Sequence, residues 1–173
     1  MEPISRYGIT LRLITVNDAE FIVSLWTNPL VSTFISTFIP DINSQIEWIQ
    51  NYKIKEQLGL DYYFVAQDFN NNRYGTVRLN NIDEKSFELG TWIFMPNSPF
   101  GMSVKTHIIG ISTGFELLKA DYCKIKVRKL NAHVLKYLEN FKPIKIKEND
   151  MDIYFIIFKE NFYLFKNKLL IFT

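Results

Sequence analysis

Glu88 is the carboxylate whose surroundings point most clearly to chemistry. It lies in an alternating segment over 86–94, between Phe87 and Leu89. Because removal from water disfavours the charged form of a carboxyl, this setting predicts a pKa raised toward neutrality. The sequence therefore predicts Glu88 as a general base, acting directly or through water. The alternative is a structural ion pair with Arg78 on the neighbouring predicted strand.

The two histidines and the single cysteine are the other reactive side chains. His107 falls about one turn into a predicted helix, where its imidazole can reach a phosphate or shuttle a proton, and His133 is a weaker candidate. Cys123 alternates inward with Ile125 and Val127, which predicts an inert buried thiol. Because these reactive residues lie in separate elements, the sequence predicts no metal site.

A locally basic segment predicts an anionic ligand. Nine Lys and Arg side chains fall within 119–147 against only Asp121 and Glu139, although the whole chain has a net charge of +2. This low total charge argues against a nucleic-acid partner and favours small-molecule substrates. A solvated basic face is the alternative to an anion site.

Length and composition indicate one globular domain over residues 1–173. The chain is 47% apolar and 16% aromatic, which excludes disorder. Its longest apolar run, 153–158, is too short for a membrane helix, so no membrane insertion is expected. The N-terminal residues lack the basic and apolar regions of a signal peptide, and a cytoplasmic location is expected.

Hydrophobic periodicity predicts seven strands and four helices. The predicted strands cover 8–14, 61–67, 73–80, 86–94, 123–128, 143–147 and 152–158. The predicted helices cover 17–28, 41–59, 103–119 and 131–140, and the tail 161–173 is left unassigned. Gly110 and Gly114 lie four residues apart in the third helix, which predicts close packing of that helix against the sheet or a ligand.

This order of elements resembles the GNAT superfamily of acyl-CoA-dependent N-acyltransferases, from residue 8 to about 158. The segments that carry the resemblance are LRL at 11–13 with Asp18, YGTVRL at 74–79, FELGTW at 87–92, Gly101, GFEL at 114–117 and Asn131. The resemblance implies a mixed α/β (α+β) fold with a twisted, mostly antiparallel sheet of six to seven strands. This sheet would be splayed between its fourth and fifth strands and flanked by about four helices.

The resemblance also implies acyl-CoA as co-substrate and direct acyl transfer without a metal. A helix N-terminus suits a pyrophosphate, and the family's Gln/Arg-x-x-Gly-x-Gly/Ala loop falls on 98–103, with serine at both ends. The implied cofactor contacts are Ile93, Phe94, Met95, Gly101, Met102, Ser103, Val104, Asn131 and Lys136. Tyr137 is the implied acid for the thiolate, one residue before the family's tyrosine position, which Leu138 occupies.

Residues 25–29 (LWTNP) and 45–48 are similar to GNAT enzymes that acylate nucleotide-linked amino-deoxysugars. This subgroup implies a UDP- or dTDP-linked acceptor, an acetyl or larger hydroxyacyl group, and a role in polysaccharide biosynthesis. The implied acceptor contacts are Trp26, Asn28, Arg78, Asn80, Asn81 and Trp92, with Phe34 and Trp48 as further stacking candidates. A protein N-terminal or antibiotic acetyltransferase and a non-catalytic GNAT-like binding module remain alternatives, and a homodimer is left open.

Overall fold

The computed structural model describes residues 1–31, 41–171 and 173, and an open sheet of eight strands forms its centre. The strands are β1 (Ile4–Arg6), β2 (Ile9–Leu13), β3 (Tyr62–Gln67), β4 (Arg73–Asn80), β5 (Ser86–Phe94), β6 (Tyr122–Arg128), β7 (Ile144–Glu148) and β8 (Asp152–Phe158). Their spatial order is β1-β2-β3-β4-β5-β6-β8-β7. Every neighbouring pair is antiparallel except β5 and β6, which run parallel.

Helices cover both faces of this sheet. They are α1 (Ala19–Thr27), α2 (Ile42–Gln57), α3 (Met102–Leu118), α4 (Ala132–Leu138) and α5 (Lys159–Ile171), with 3₁₀ turns at Val16–Asp18 and Glu139–Phe141. Asp41 caps α2 by accepting a 3.0 Å hydrogen bond from the Ser44 N–H, which satisfies one of the free N–H groups at the start of the helix. Among the helices that the structure describes, none is long and apolar enough to cross a membrane.

Two hydrophobic cores lie on opposite faces of the sheet. The larger core packs α3 against the central strands, and the smaller one packs α1 and α2 against β3. A Cβ on Gly114 would come within 2.3 Å of the Phe87 ring, and one on Gly110 within 3.1 Å of Leu89. This close approach of α3 to the sheet confirms the packing predicted for both glycines.

The mixed, mostly antiparallel fold is confirmed, with one more strand and one more helix than predicted. Strand β1 is only three residues long and pairs with β2 through Ile4 and Leu11. The unassigned tail forms α5, whose Phe162 is fully buried against the rings of Phe115 and Phe141 at 5.6 and 5.5 Å.

The predicted splay lies between β5 and β6. Their parallel pairing covers three residue pairs, from Ser86 with Tyr122 to Glu88 with Lys124. Beyond these pairs the described residues of β5 and β6 no longer pair with each other. A bulge in β5 accompanies the divergence: Arg78 of β4 opposes Gly90, while Thr76 opposes Ile93. Thr91 takes up the extra length with a φ of +49°, a left-handed conformation that is unfavourable for a β-branched residue.

Candidate active site

A cleft of about 480 Å³ opens where β5 and β6 separate. Its lining residues are Trp26, Leu30, Val31, Leu89, Gly90, Thr91, Trp92, Ile93, Phe94, His107, Ile125, Lys126, Val127, Arg128, Asn131, Val134 and Asp152. The cleft thus joins the two diverging strands to α3, α4 and the end of α1. Its walls are mainly apolar, with a few polar groups, as is typical of ligand sites.

The β5 wall offers an unpaired strand edge to a ligand. Ile93 and Phe94 line the cleft as predicted, and beyond Glu88 no strand in the described part of the chain pairs with this edge. Such an edge binds extended, amide-containing chains through backbone hydrogen bonds. Met95 lies outside the lining, and its N–H donates to the Tyr74 carbonyl at 2.8 Å. Thr76 Oγ1 donates to the Thr91 carbonyl at 2.9 Å and supports the bulge.

The loop predicted to bind the CoA pyrophosphate, residues 98–103, leads into α3 and does not line the cleft. Gly101 stands at the N-cap with a φ of +75°, a conformation that glycine adopts at no steric cost. The Met102 N–H already donates to the Pro99 carbonyl at 3.1 Å. Met102 is buried in the core, which Val104 also contacts, and the Ser103 carbonyl accepts a 2.9 Å hydrogen bond from Trp92 Nε1.

His107 and Tyr137 form a hydrogen-bonded pair beside the cleft. The Tyr137 hydroxyl lies 3.0 Å from His107 Nδ1, and the ring centroids of Trp92 and His107 are 4.4 Å apart. His107 is 0% exposed, and its Nε2 has no hydrogen-bond partner within the described ranges. Burial lowers the pKa of His107 to about 3 and raises the pKa of Tyr137 above its ordinary value. Both side chains are therefore neutral near pH 7.

Asn131 and three charged residues complete the β6 side of the cleft. Asn131 caps α4 by accepting a 3.2 Å hydrogen bond from the Val134 N–H, while lining the cleft as predicted. Lys126, Arg128 and Asp152 also line it, and Arg128 donates to Asp152 at 3.2 Å. The sequence indicated these cations only as part of a basic segment. Lys136, predicted as a cofactor contact, is exposed and lies outside the lining.

Glu88 lies at the closed end of the splay rather than among the residues that line the cleft. Its carboxylate accepts a 2.8 Å hydrogen bond from Asn81 Nδ2. The alternative pairing with Arg78 is wrong, because Arg78 opposes Gly90 and its guanidinium binds the buried carboxylate of Asp61. Glu88 is therefore half-buried and lies outside the cleft lining to which His107 belongs.

A second cavity of about 230 Å³ adjoins the cleft. Its lining residues are Ile22, Trp26, Ser44, Gln45, Trp48, Tyr63, Arg78 and Thr91. Trp26 and Thr91 line both cavities, so the two sites share a wall. Arg78 lies 5.0 Å from the Trp48 ring centroid.

The remaining predicted acceptor contacts lie outside both linings. Asn28 accepts a 3.0 Å hydrogen bond from the Leu30 N–H, and Asn80 Oδ1 is buried without a recorded partner among the described residues. Phe34 lies outside the described residues. Among the residues that the structure describes, no group of three or more His, Cys, Asp or Glu side chains could hold a metal.

Comparison with known proteins connects this arrangement with a family. The model of the acetyltransferase (GNAT) domain matches residues 9–141. The structure of apo FdhC, described as a nucleotide-linked sugar GNAT, shares 34% identity and a TM-score of 0.87, covering 98% of this chain and 97% of that one. A search of curated sequences finds no match.

More distant structures share the fold alone. The ribosomal-protein-S5-alanine acetyltransferase of Vibrio fischeri is 15% identical, with a TM-score of 0.77, and the match covers 94% of this chain and 99% of that one. The spermidine N-acetyltransferase of Vibrio cholerae, solved with CoA and spermine, is 18% identical, with a TM-score of 0.75 and coverages of 91% and 99%. The chain belongs to the GNAT superfamily and is an acyl-CoA-dependent N-acyltransferase.

Proposed function

We propose that this enzyme transfers an acyl group from acyl-CoA to the amino group of a nucleotide-linked amino-deoxysugar, carried on UDP or dTDP. The observation that carries the proposal is the 34% identity to a nucleotide-linked sugar GNAT over 98% of the chain. An acetyl group is the first donor to test, and a larger hydroxyacyl group is the second. The product would then serve polysaccharide biosynthesis in the cytoplasm.

The two adjoining cavities support separate binding sites for the acyl donor and the acceptor. In the larger cleft, the open edge of β5 and the Asn131 side chain suit the amide groups of the CoA arm. Lys126 supplies positive charge to the same cleft, whereas the charge of Arg128 is already balanced by Asp152. The smaller cavity would take the sugar, and the shared wall of Trp26 and Thr91 would bring the amine to the thioester.

The charge of the smaller cavity favours a neutral sugar ring over a polyamine. Arg78 is the one charged side chain among its described lining residues, and Asp61 neutralises it through a two-point hydrogen bond. Trp48 and Tyr63 offer apolar ring surface, whereas Ser44 and Gln45 offer hydrogen bonds. This mixture matches the alternating C–H and O–H faces of a deoxyhexose.

The chemistry that we propose is direct attack of the neutral amine on the thioester. Cys123 is fully buried, and burial raises the pKa of its thiol, so it is unsuited to carry an acyl group. The sequence-based proposals of Glu88 as base and of Tyr137 as acid remain alternatives to a transfer in which neither side chain exchanges a proton. The position of Glu88 favours the route through water over direct contact with the amine.

Calorimetric titration with UDP- and dTDP-linked amino sugars tests the acceptor assignment. Trp48→Ala should weaken binding by about tenfold or more, which is about 1.4 kcal/mol, and should leave CoA affinity unchanged. Ile54→Ala, an exposed change on the same helix, is the matched control. If no amino-sugar nucleotide binds but spermidine does, the proposed function is wrong. If the sugars bind equally well to Trp48→Ala, the cavity assignment is wrong.

A further inference from the structure

The pair formed by His107 and Tyr137 has a defined direction of hydrogen bonding. A phenol O–H is a stronger donor than a neutral imidazole N–H, and an imidazole nitrogen accepts better than a phenol oxygen. The Tyr137 hydroxyl has no other hydrogen bond recorded in the part of the chain that the structure describes. It therefore donates to His107 Nδ1, because the reverse arrangement would leave the O–H of a half-buried side chain without a protein acceptor.

This direction fixes the tautomer of His107. With Nδ1 acting as acceptor, the ring proton lies on Nε2, the nitrogen that has no partner. A buried N–H without an acceptor is unfavourable, so such a group in a cleft-lining residue points to a ligand that completes it. Trp92 holds the ring from one side, and its own Nε1–H is bound to the Ser103 carbonyl.

We propose that His107 donates a hydrogen bond from Nε2–H to the thioester carbonyl oxygen of the bound acyl-CoA, and that Tyr137 positions it by fixing the tautomer. As the amine forms its bond to the carbonyl carbon, negative charge grows on that oxygen, and the donor stabilises it. The C–S bond then breaks with its electron pair on sulfur. The amine loses one proton and the CoA thiolate gains one, so that CoA leaves as the thiol. His107 and Tyr137 keep their protons.

The electrostatics of the pair agree with a donor that never ionises. Burial keeps the imidazole neutral and the phenol protonated, so transfer of the Tyr137 proton through His107 would leave a phenolate in an apolar site. The rings of Trp92 and Phe141 pack against His107 together with Tyr137. The charged groups in the same cleft are Lys126, Arg128 and Asp152. A neutral imidazole that polarises a carbonyl is an established catalytic device.

Infrared spectroscopy of bound, carbonyl-labelled acetyl-CoA measures this hydrogen bond without turnover. The carbonyl stretch should move to lower frequency on binding to the wild-type enzyme, and this shift should be lost in His107→Phe. His133→Phe, the same change at an exposed position of α4, should keep it. The proposal is overturned if bound acetyl-CoA has the same carbonyl frequency in the wild type and in His107→Phe.

Nitrogen NMR provides a second test, whose main measurement is made on the wild-type enzyme. The ring of His107 should carry its proton on Nε2, and the Nε2 resonance should move when acetyl-CoA is added but much less when CoA is added. Tyr137→Phe should remove the preference for this tautomer. A proton on Nδ1 in the wild type, or a cationic ring at pH 7, would overturn the proposal.

Discussion

Thr173 lies directly against Gly101 at the start of α3. A Cβ on Gly101 would come within 2.6 Å of the Thr173 Cβ and 2.8 Å of its carbonyl oxygen. The same carbonyl accepts a 2.8 Å hydrogen bond from Lys105 Nζ. The loop proposed for the CoA pyrophosphate is therefore packed against Thr173, two positions beyond the end of α5, and Gly101 is required there by both its conformation and its neighbour.

Substitution of Gly101 should affect stability and CoA binding in separable ways. Gly101→Ala and Gly101→Asp share the strained φ and the contact with Thr173, so both should lose roughly 1–3 kcal/mol of unfolding free energy. Only Gly101→Asp places a carboxylate near the proposed pyrophosphate, so it should bind CoA much more weakly than Gly101→Ala in calorimetric titration. Equal CoA affinities in the two variants would show that the pyrophosphate binds elsewhere.

The buried imidazole of His107 should make stability depend on pH. In the unfolded chain, His107 binds a proton below its ordinary pKa of about 6.5. In the folded chain, it stays neutral down to about pH 3. His107 should therefore contribute a fall of about 1.4 kcal/mol in the free energy of unfolding for each pH unit between 6.5 and about 3. Denaturant titrations of His107→Phe should lack this slope, and those of His133→Phe should retain it. Parallel pH curves for all three proteins would contradict the assignment.

Cys123→Ala should remain an active enzyme. The thiol is fully buried in the core of the sheet, so its loss should cost roughly 1 kcal/mol of unfolding free energy through a small cavity. Because the amine is proposed to attack the thioester directly, double-reciprocal plots should intersect for both the wild type and the variant. A folded but inactive Cys123→Ala enzyme, together with parallel plots for the wild type, would indicate an acyl-enzyme instead.

Glu88→Gln tests whether the remote carboxylate acts as a base. A general base contributes about 10²–10⁴-fold to turnover, with the largest loss where the amine is still protonated. Since Glu88 is bound to Asn81 and lies outside the cleft lining, we expect a change of less than about threefold, with the same pH profile as the wild type. A hundredfold loss at neutral pH that recovers at high pH would establish Glu88 as the base through water.

The elements that position the site were largely predictable, because strand alternation and helical spacing are local properties. The predicted helix 103–119 is observed as Met102–Leu118, and the predicted strand 86–94 has the observed bounds. Strand β1 is too short to alternate visibly. Helix α5 mixes aromatic and basic residues around its axis, and among its described side chains only Phe162 is buried. Neither element therefore has a clear local signature.

Side-chain partners in the site depend on tertiary contacts that a single sequence does not reveal. One residue along a helix is a rotation of about 100°, so Leu138 enters the core while Tyr137 turns to His107, thirty positions earlier. Likewise, the register of β4 and β5 places Asn80 opposite Glu88 and Arg78 opposite Gly90. The sequence predicts both strands, but it does not show which residues of the two strands lie opposite each other.

A turnover assay that compares several acceptors tests most directly the claim that the acceptor is a nucleotide-linked amino sugar. Release of the CoA thiol and the mass of the product should be measured with acetyl-CoA and a hydroxyacyl-CoA. The acceptors should be UDP- and dTDP-linked amino-deoxysugars, spermidine and a peptide with an N-terminal alanine. We predict that kcat/KM for at least one amino-sugar nucleotide exceeds that for spermidine and the peptide by about 100-fold or more. Acylation of spermidine or the peptide, with no acylated sugar nucleotide, would contradict the account.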